Sequence, residues 1–427
     1  MLLAAVELGS PAPSRSPRVA ASPSGPSGTA RPSPTQSAAA SPSGSPSPAD
    51  IAAELEAAVE VITEQVVEIR GLERRGEVET RILTSAEFRT RVEADFREQN
   101  SADYIEASNL LYRRLGLMPE DEDLEDLTLE LLEASVIGVY FPDEREMAVV
   151  GDVTRIGPLE RFTLAHEIDH ALQDQHFDLN ETLGVDEAAT ESDRTIARQA
   201  LIEGDATQLM LEWAFAHLSP SEMGEIAGAG LDPDQQQVLE RMPPILQRQL
   251  GFPYVEGASF IGALQGGGGW PAVDEAFGDP PNSTEQILHV DAYFARDEPV
   301  DVRLPDLGNA LGTGWERTLE DTFGEMQMQV FLQGVAPIGD ANTAAAGWGG
   351  DRLETWEGPG NQWVIAWQTA WDSPADAREF VSAASRAIDT LEDPLTIVSD
   401  EGSDAAVFIL ASDSLLLDRV AALFDSI

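Results

Sequence analysis

Apolar residues recur every three or four positions along several stretches of this chain, a spacing that places side chains on one face of an α-helix. The first such stretch begins at Asp50 and carries Ile51, Leu55, Ala58, Ile62, Val66 and Ile69. The same spacing predicts helices over about 85–115 and 187–217. In 136–150, two short β-prone runs flank the turn-like Pro142, Asp143 and Glu144, so a β-hairpin is predicted there.

The C-terminal part of the chain mixes strand and helix signals. In chain order they are a strand-like alternation at Trp363, Ile365 and Trp367, a helix start at Ser373 and Pro374, a β-prone run at 406–410 and a helix start at Ser414. These signals predict a small α+β module. Upstream of it, a Pro/Gly-rich region over 251–281 leads to another short helix.

These patterns divide the chain into four parts. They are a disordered Ser/Pro/Ala-rich tether (1–48), an N-terminal helical region (49–135), a catalytic domain of α+β class (136–320) and the C-terminal α+β module (321–427). Residues 10–48 are almost entirely Ser, Pro, Ala, Gly and Thr with three arginines, a composition that buries no core and forms an extended spacer.

Composition narrows the possible partners. The 427 residues carry 76 acidic and 26 basic side chains, all of the basic ones arginine, for a formal charge of -50. This charge disfavours binding to nucleic acid and to anionic membranes. A 42% hydrophobic content nevertheless supports real cores. We therefore expect a folded protein with no nucleic-acid partner.

The chain has no cysteine, which excludes disulfides, thiolate ligands and a cysteine nucleophile. The starting segment MLLAAV is too short for a membrane span, and it lacks the basic flank of a signal peptide and the cysteine of a lipoprotein signal. Neither a transmembrane segment nor a lipid anchor is predicted. The spacer favours an extracellular or cell-envelope location, with a disordered tail on an unexported protein as the alternative.

The segment AHEIDHALQDQH carries the candidate chemistry. It spells His-Glu-x-x-His at His166, Glu167 and His170, and two histidines four residues apart share one helix face, as a zinc ion requires. Glu167 is placed to act on a zinc-bound water. An apolar stripe on the other face at Leu164, Ile168, Ala171 and Leu172 predicts that the helix packs on one side and faces a cleft on the other.

A catalytic zinc needs a third protein ligand, and the sequence offers two. His176 has the spacing of the metzincin signature, but Gln173 stands where that turn uses a glycine. Glu203 lies on an apolar helical stripe, where a buried carboxylate needs a partner, and Gly204 would allow two helices to approach closely. The predicted ligands are therefore His166, His170 and Glu203, with His176 in a supporting or surface position.

The same motif also matches part of a different metal-site pattern. Glu-x-x-His is the repeated unit of di-iron carboxylate bundles, but no second histidine here has a glutamate three residues before it.

A donor that stabilises the oxyanion is also expected. His289 is the candidate, in a helix capped by Ser283, and Arg352 is the weaker alternative; for both, an ordinary structural contact is the competing reading.

HEIDH followed by a helix carrying Glu-Gly-x-Ala resembles the gluzincin metallopeptidases, the thermolysin-like group. The resemblance covers about a fifth of the chain, over 136–217. It implies a zincin-like fold with a small mixed sheet, an active-site helix, Glu203 as third ligand and Glu167 as general base. It also implies that an extended peptide pairs with the hairpin strand beside the cleft. Thr207 stands where that group has a histidine-orienting aspartate, with Asp205 nearby, and the 33-residue ligand spacing is longer than in that group.

The predicted function is a zinc-dependent metallopeptidase that hydrolyses peptide bonds of a peptide or protein substrate, with Glu167 as base and Zn²⁺ as cofactor. Two alternatives share the same residues. One is a non-catalytic envelope binding protein on a zincin scaffold, against which the retained Glu167 argues. The other is a zinc amidase acting on a non-protein substrate.

Overall fold

A computed structural model describes residues 3–6, 47–151, 153–184, 189–229, 233–386, 390–391, 393–398 and 402–424. Apart from its last two residues and the backbone of 3–6, the predicted tether lies outside these residues. The described chain is of mixed α+β class, with small sheets among many helices. No helix in the described ranges is both long and apolar enough to cross a membrane.

The described helices that precede the C-terminal module are α1 (Pro48–Arg70), α2 (Ser85–Gln99), α3 (Ala102–Arg114), α4 (Leu124–Ser135), α5 (Pro158–Phe177), α6 (Leu179–Leu183), α7 (Ser192–His217), α8 (Pro220–Ala229), α9 (Pro233–Arg241), α10 (Pro244–Gly268), α11 (Trp270–Phe277), α12 (Thr284–Leu288), α13 (Val290–Ala295) and α14 (Leu307–Leu311). Those of the C-terminal part are α15 (Gly324–Gln333), α16 (Ile338–Ala345), α17 (Pro374–Ala384) and α18 (Ser414–Ala421). The candidate motif lies on α5, which contacts α1, α6, α7 and α8.

The strands form two sheets. The first contains β1 (Leu3–Val6), β2 (Glu79–Leu83), β3 (Val136–Phe141) and β4 (Glu146–Val150), in the order β1-β3-β4-β2. It is a mixed sheet, since β2 and β4 are parallel and the other pairs antiparallel. The second contains β5 (Glu316–Asp321), β6 (Trp348–Gly358), β7 (Gln362–Trp371), β8 (Leu395–Val398) and β9 (Ala405–Ala411), in the antiparallel order β5-β6-β7-β9-β8.

Most elements predicted from periodicity are confirmed. The hairpin 136–150 is β3 and β4, and the predicted C-terminal strand, helix, strand and helix are β7, α17, β9 and α18. The region 85–115 holds two helices, because Ser101 caps the start of the second one. The helix predicted from 187 begins at Ser192.

The Pro/Gly-rich region differs most from its expected character. Residues 244–268 form one long helix, α10, with Pro253 inside it. Helix propensity disfavours both residue types, but Phe252, Tyr254, Phe260 and other residues of α10 are buried. Tertiary packing of this face outweighs the local preference.

One continuous core joins these layers. It includes Val66 of α1, Leu164 of α5, Leu201 of α7, Phe260 of α10 and Trp367 of the second sheet. The helices that carry the His-Glu-x-x-His motif and Glu203 are buried along residues 164–173 and 200–206, and the N-terminal helix α1 packs against both of them.

Candidate metal centre

Helix α5 presents the motif from a buried position. Pro158 occupies its first turn, and Glu160 accepts a hydrogen bond from the N-cap Gly157 amide at 2.8 Å. His166, Glu167 and His170 are completely buried, as are the apolar residues predicted to pack. The helix thus has protein on both faces, and the motif points into the interior toward α7.

The third side chain comes from α7. Glu203 is fully buried among apolar neighbours on its stripe, including Ala200 and Ala206. Its Oε2 atom lies 3.1 Å from His166 Nε2 and 3.2 Å from His170 Nε2. The structure therefore brings together the three residues that the sequence pattern predicted as ligands. They come from two helices, and His170 and Glu203 are 33 positions apart in sequence.

The three atoms form a nearly equilateral triangle, because His166 Nε2 and His170 Nε2 are themselves 3.0 Å apart. Hydrogen bonding accounts for this poorly, since two imidazole nitrogens aimed at each other can share only one proton. Ligands of a tetrahedral zinc at about 2.0–2.1 Å lie about 3.3 Å apart, close to these separations. Among the described residues, His166, His170 and Glu203 are the one group of His and carboxylate side chains that could hold a metal ion.

The electrostatics of the triangle favour positive charge at its centre. Burial lowers the pKa of His166, and His170 lowers it further. Burial also opposes charge on His170, but Glu203 outweighs it and raises the pKa of His170 to about 9. Although burial would raise the pKa of Glu203, His170 and His166 hold it at about 2. Glu203 Oε1 is buried without a hydrogen-bond partner among the described residues, so this second carboxylate oxygen is also available to a cation bound at the triangle.

Glu167 lies between the triangle and the first sheet. A Cβ atom added to Gly138 of β3 would be 3.0 Å from Glu167 Oε1 and 2.4 Å from Thr163 Cγ2. Glycine at this point in β3 therefore lets the strand pass directly beside the Glu167 carboxylate. Glu167 also contributes to raising the pKa of His170, so its charge acts on the triangle.

Gln173 fixes the orientation of His170. Its Oε1 atom lies 2.9 Å from His170 Nδ1, while its Nε2 donates to Asp169 Oδ2 and to the Ile202 carbonyl, both at 3.1 Å. Because the two acceptors hold the NH₂ group, the amide oxygen must face the imidazole. In the neutral imidazole that can bind a metal, His170 Nδ1 then carries the proton and the Nε2 lone pair points into the triangle.

A close crossing of α7 and α10 stands behind the site. A Cβ added to Gly204 would lie 2.3 Å from the Gly257 carbonyl carbon, and one added to Gly257 would lie 2.3 Å from the Ala200 carbonyl oxygen. This confirms that Gly204 allows close helix approach. One turn before Gly257, the Tyr254 ring stacks on His166 at 6.0 Å. Tyr254 belongs to the site wall and was hidden in the Pro/Gly-rich region.

The other residues considered from sequence lie elsewhere. His176 Nε2 bonds to the Glu73 carbonyl at 2.8 Å, and His289 Nε2 lies 3.1 Å from Glu325 Oε1. Arg352 donates to the Thr190 carbonyl and to Glu191. The structure thus gives each of them a partner outside the triangle. His289 as an oxyanion donor stays a prediction that no contact with the triangle supports.

The comparisons with known proteins concern the second sheet. A family model described as a domain of unknown function (DUF8575) matches residues 313–414, which contain β5 to β9. No curated protein and no solved structure matches the chain. The triangle of His166, His170 and Glu203 lies outside the matched residues, so the family match gives no information about its chemistry.

Proposed function

We propose that this protein is a zinc-dependent metallopeptidase of gluzincin type. The observation that carries the proposal is the triangle of His166, His170 and Glu203, with Glu167 beside it on the same helix. Two imidazole nitrogens and one carboxylate oxygen form the His₂Glu donor set typical of catalytic zinc. Calcium and magnesium prefer oxygen ligands alone, so this set disfavours them.

The reaction follows from what each residue can do. Zinc held by the three ligands would act as a Lewis acid and lower the pKa of a water molecule toward about 7. Glu167 would accept a proton from that water and deliver it to the nitrogen of the leaving amine. A structural metal site has no use for such a base. The presence of Glu167 therefore supports a hydrolase over a scaffold protein.

The surroundings of Glu167 support an extended peptide as substrate. β3 passes this carboxylate at Gly138, and the outer edge of β3 pairs antiparallel with β1. Ala5 of β1 stands opposite Gly138, one strand spacing from the position nearest Glu167. The edge beside the base thus accepts an extended segment through main-chain hydrogen bonds, which is how a peptide substrate would add to the sheet.

The proposal is tested by zinc content and peptide cleavage. We expect the purified protein to hold zinc, to cleave peptides in a broad library, and to lose cleavage when a chelator removes the metal. Glu203→Ala should lose zinc, whereas His176→Ala should keep it, because His176 bonds to the Glu73 carbonyl instead of the triangle. Zinc loss in His176→Ala with zinc retained in Glu203→Ala would contradict the ligand set. A zinc-loaded protein that cleaves no peptide would be a binding protein or an amidase for other substrates.

Loosening β1 is expected to raise peptidase activity. Adjacent strand residues alternate in hydrogen-bonding direction, so replacing both Ala4 and Ala5 by proline removes at least one amide that pairs with β3. The vacated edge should give a several-fold higher kcat/KM for peptides. The matched control is a double proline substitution at Ala38 and Ala39 in the predicted spacer, with no effect expected. Equal kcat/KM in both variants would exclude competition between β1 and substrate.

A further inference from the structure

Helix α1 ends in a buried arginine. Arg70 is only 1% exposed and ranks among the largest fully buried side chains of the described chain. A buried guanidinium needs charged or polar partners, since moving it out of water is strongly unfavourable otherwise. The partners of Arg70 therefore indicate why the chain keeps a charge at this position.

In the described part of the chain, Arg70 hydrogen-bonds to aspartates of α7, the helix that carries Glu203, and of α11. Its Nε and Nη2 atoms both bond to Asp205 of α7, at 3.0 Å to Oδ1 and 3.0 Å to Oδ2 respectively. Its Nη1 atom bonds to Asp274 of α11 at 2.6 Å, and the Trp270 ring centre lies 4.7 Å from the guanidinium carbon. This two-pronged contact fixes both the position and the orientation of Asp205.

Asp205 and Asp169 lie next to the metal ligands in sequence. Asp205 follows Glu203 by two positions on α7, and Asp169 precedes His170 on α5. Both aspartates are fully buried, and the Arg70 charge acts on both. Gln173 completes the link, because it donates to Asp169 and to the Ile202 carbonyl while its oxygen faces His170 Nδ1. The Arg70 charge thus acts on Asp169, the aspartate that Gln173 contacts, and Gln173 in turn contacts the imidazole of His170.

We propose that Arg70 and Gln173 are positioning residues for the metal centre. Arg70 compensates the negative charge of the two buried aspartates that flank the ligands on α5 and α7. The two helices can therefore hold their ligand atoms 3.0–3.2 Å apart, close to the separation that a tetrahedral zinc requires. Gln173 sets the tautomer of His170, so that Nε2 is free to bind a metal. The N-terminal helical region is thereby an integral part of the site.

The inference rests on the proposed zinc function, but its readout is metal affinity. Gln173→Leu removes the amide that faces His170, and Arg70→Met removes the charge while keeping an unbranched apolar side chain. We expect each variant to bind zinc about 10–100-fold more weakly in competition with a chelating dye. The absorption spectrum of the cobalt-substituted protein should also shift, because it reports the geometry of the ligands.

Matched controls separate this effect from helix packing. Gln175→Leu removes the hydrogen bonds from the Arg75 and Gly76 amides to the same helix α5, and Arg74→Met removes a charge just after α1. Both should keep wild-type zinc affinity and cobalt spectrum. Circular dichroism of the metal-free proteins shows whether each variant folds. If Arg70→Met does not fold, Arg70→Lys is measured instead, and the loss of the two-pronged contact should still weaken zinc binding.

The possible outcomes are distinct. Wild-type zinc affinity in folded Gln173→Leu, or in the folded Arg70 variant, would overturn the inference even if the wild-type protein cleaves peptides. Zinc binding that depends on Arg70 and Gln173 in a protein that cleaves no peptide would sustain the inference and overturn the proposed peptidase function.

Discussion

Glu167→Gln is expected to keep zinc and to lose peptide cleavage. The amide has the size of the carboxylate, so it fits between β3 and the triangle, but it cannot accept a proton from water. Loss of a positioned general base typically lowers a rate by about 10²–10⁴-fold. We therefore expect kcat/KM to fall by this factor, with zinc content and melting temperature close to those of the wild-type protein.

The measurements that check this are single-substrate kinetics, metal analysis and thermal unfolding of the same preparations. Glu181→Gln is the matched control, because Glu181 is an exposed glutamate on the neighbouring helix α6. It should behave as wild type in all three. Wild-type kcat/KM for Glu167→Gln would remove Glu167 from the mechanism. Loss of zinc from this variant would mean that Glu167 supports the metal site structurally.

The three side chains of the triangle could be predicted to lie together from sequence because each of them follows a local rule. His166 and His170 have the spacing of one helix face, and Glu203 interrupts an apolar stripe with a carboxylate that needs a partner. Both signals depend on helical periodicity, which is the most readable property of a sequence. The contact between α5 and α7 joins distant segments, but it could be predicted because two histidines and a buried carboxylate form a typical zinc ligand set.

The supporting residues were harder to recognise because their roles depend on nonlocal contacts. From sequence alone, Gln173 is notable only as a residue unsuited to a metzincin turn, yet its amide orients His170. Arg70 did carry a signal, since it continues the buried stripe of Ile62 and Val66 at four-residue spacing. A charge on an apolar stripe predicts a buried partner. That partner, Asp205, lies 135 positions away, so no local pattern identifies it.

The fold around the site also combines elements that local sequence predicts with contacts that it does not predict. The hairpin β3–β4 follows from local composition, but the parallel pairing of β2 with β4 and the addition of β1 to β3 join distant segments. The helix α10 was obscured because Pro253 and several glycines dominate its composition. Its glycine at 257 matters for packing against α7, and no local rule distinguishes it from the glycines of the same helix that face open space.

Gly204→Ala is expected to destabilise the fold and to disturb the metal centre together. The added methyl group would lie 2.3 Å from the Gly257 carbonyl carbon, which is backbone and cannot rotate away. Helices α7 and α10 must therefore separate, and overpacking of this kind costs about 1–3 kcal/mol of unfolding free energy. Because Glu203 adjoins Gly204 and Tyr254 packs against His166, the same shift should weaken zinc binding.

Gly262→Ala provides the matched control for this crossing. It lies on α10 like Gly257, but an added Cβ would have nothing within 4 Å. Alanine favours a helix over glycine by about 0.5–1 kcal/mol, so this variant should be more stable than wild type. Urea unfolding of the metal-free proteins should give midpoints that move in opposite directions for the two variants. A Gly204→Ala midpoint equal to or above that of the wild type would mean that the backbone contact between α7 and α10 does not limit their approach, and the position of Glu203 would then need another explanation.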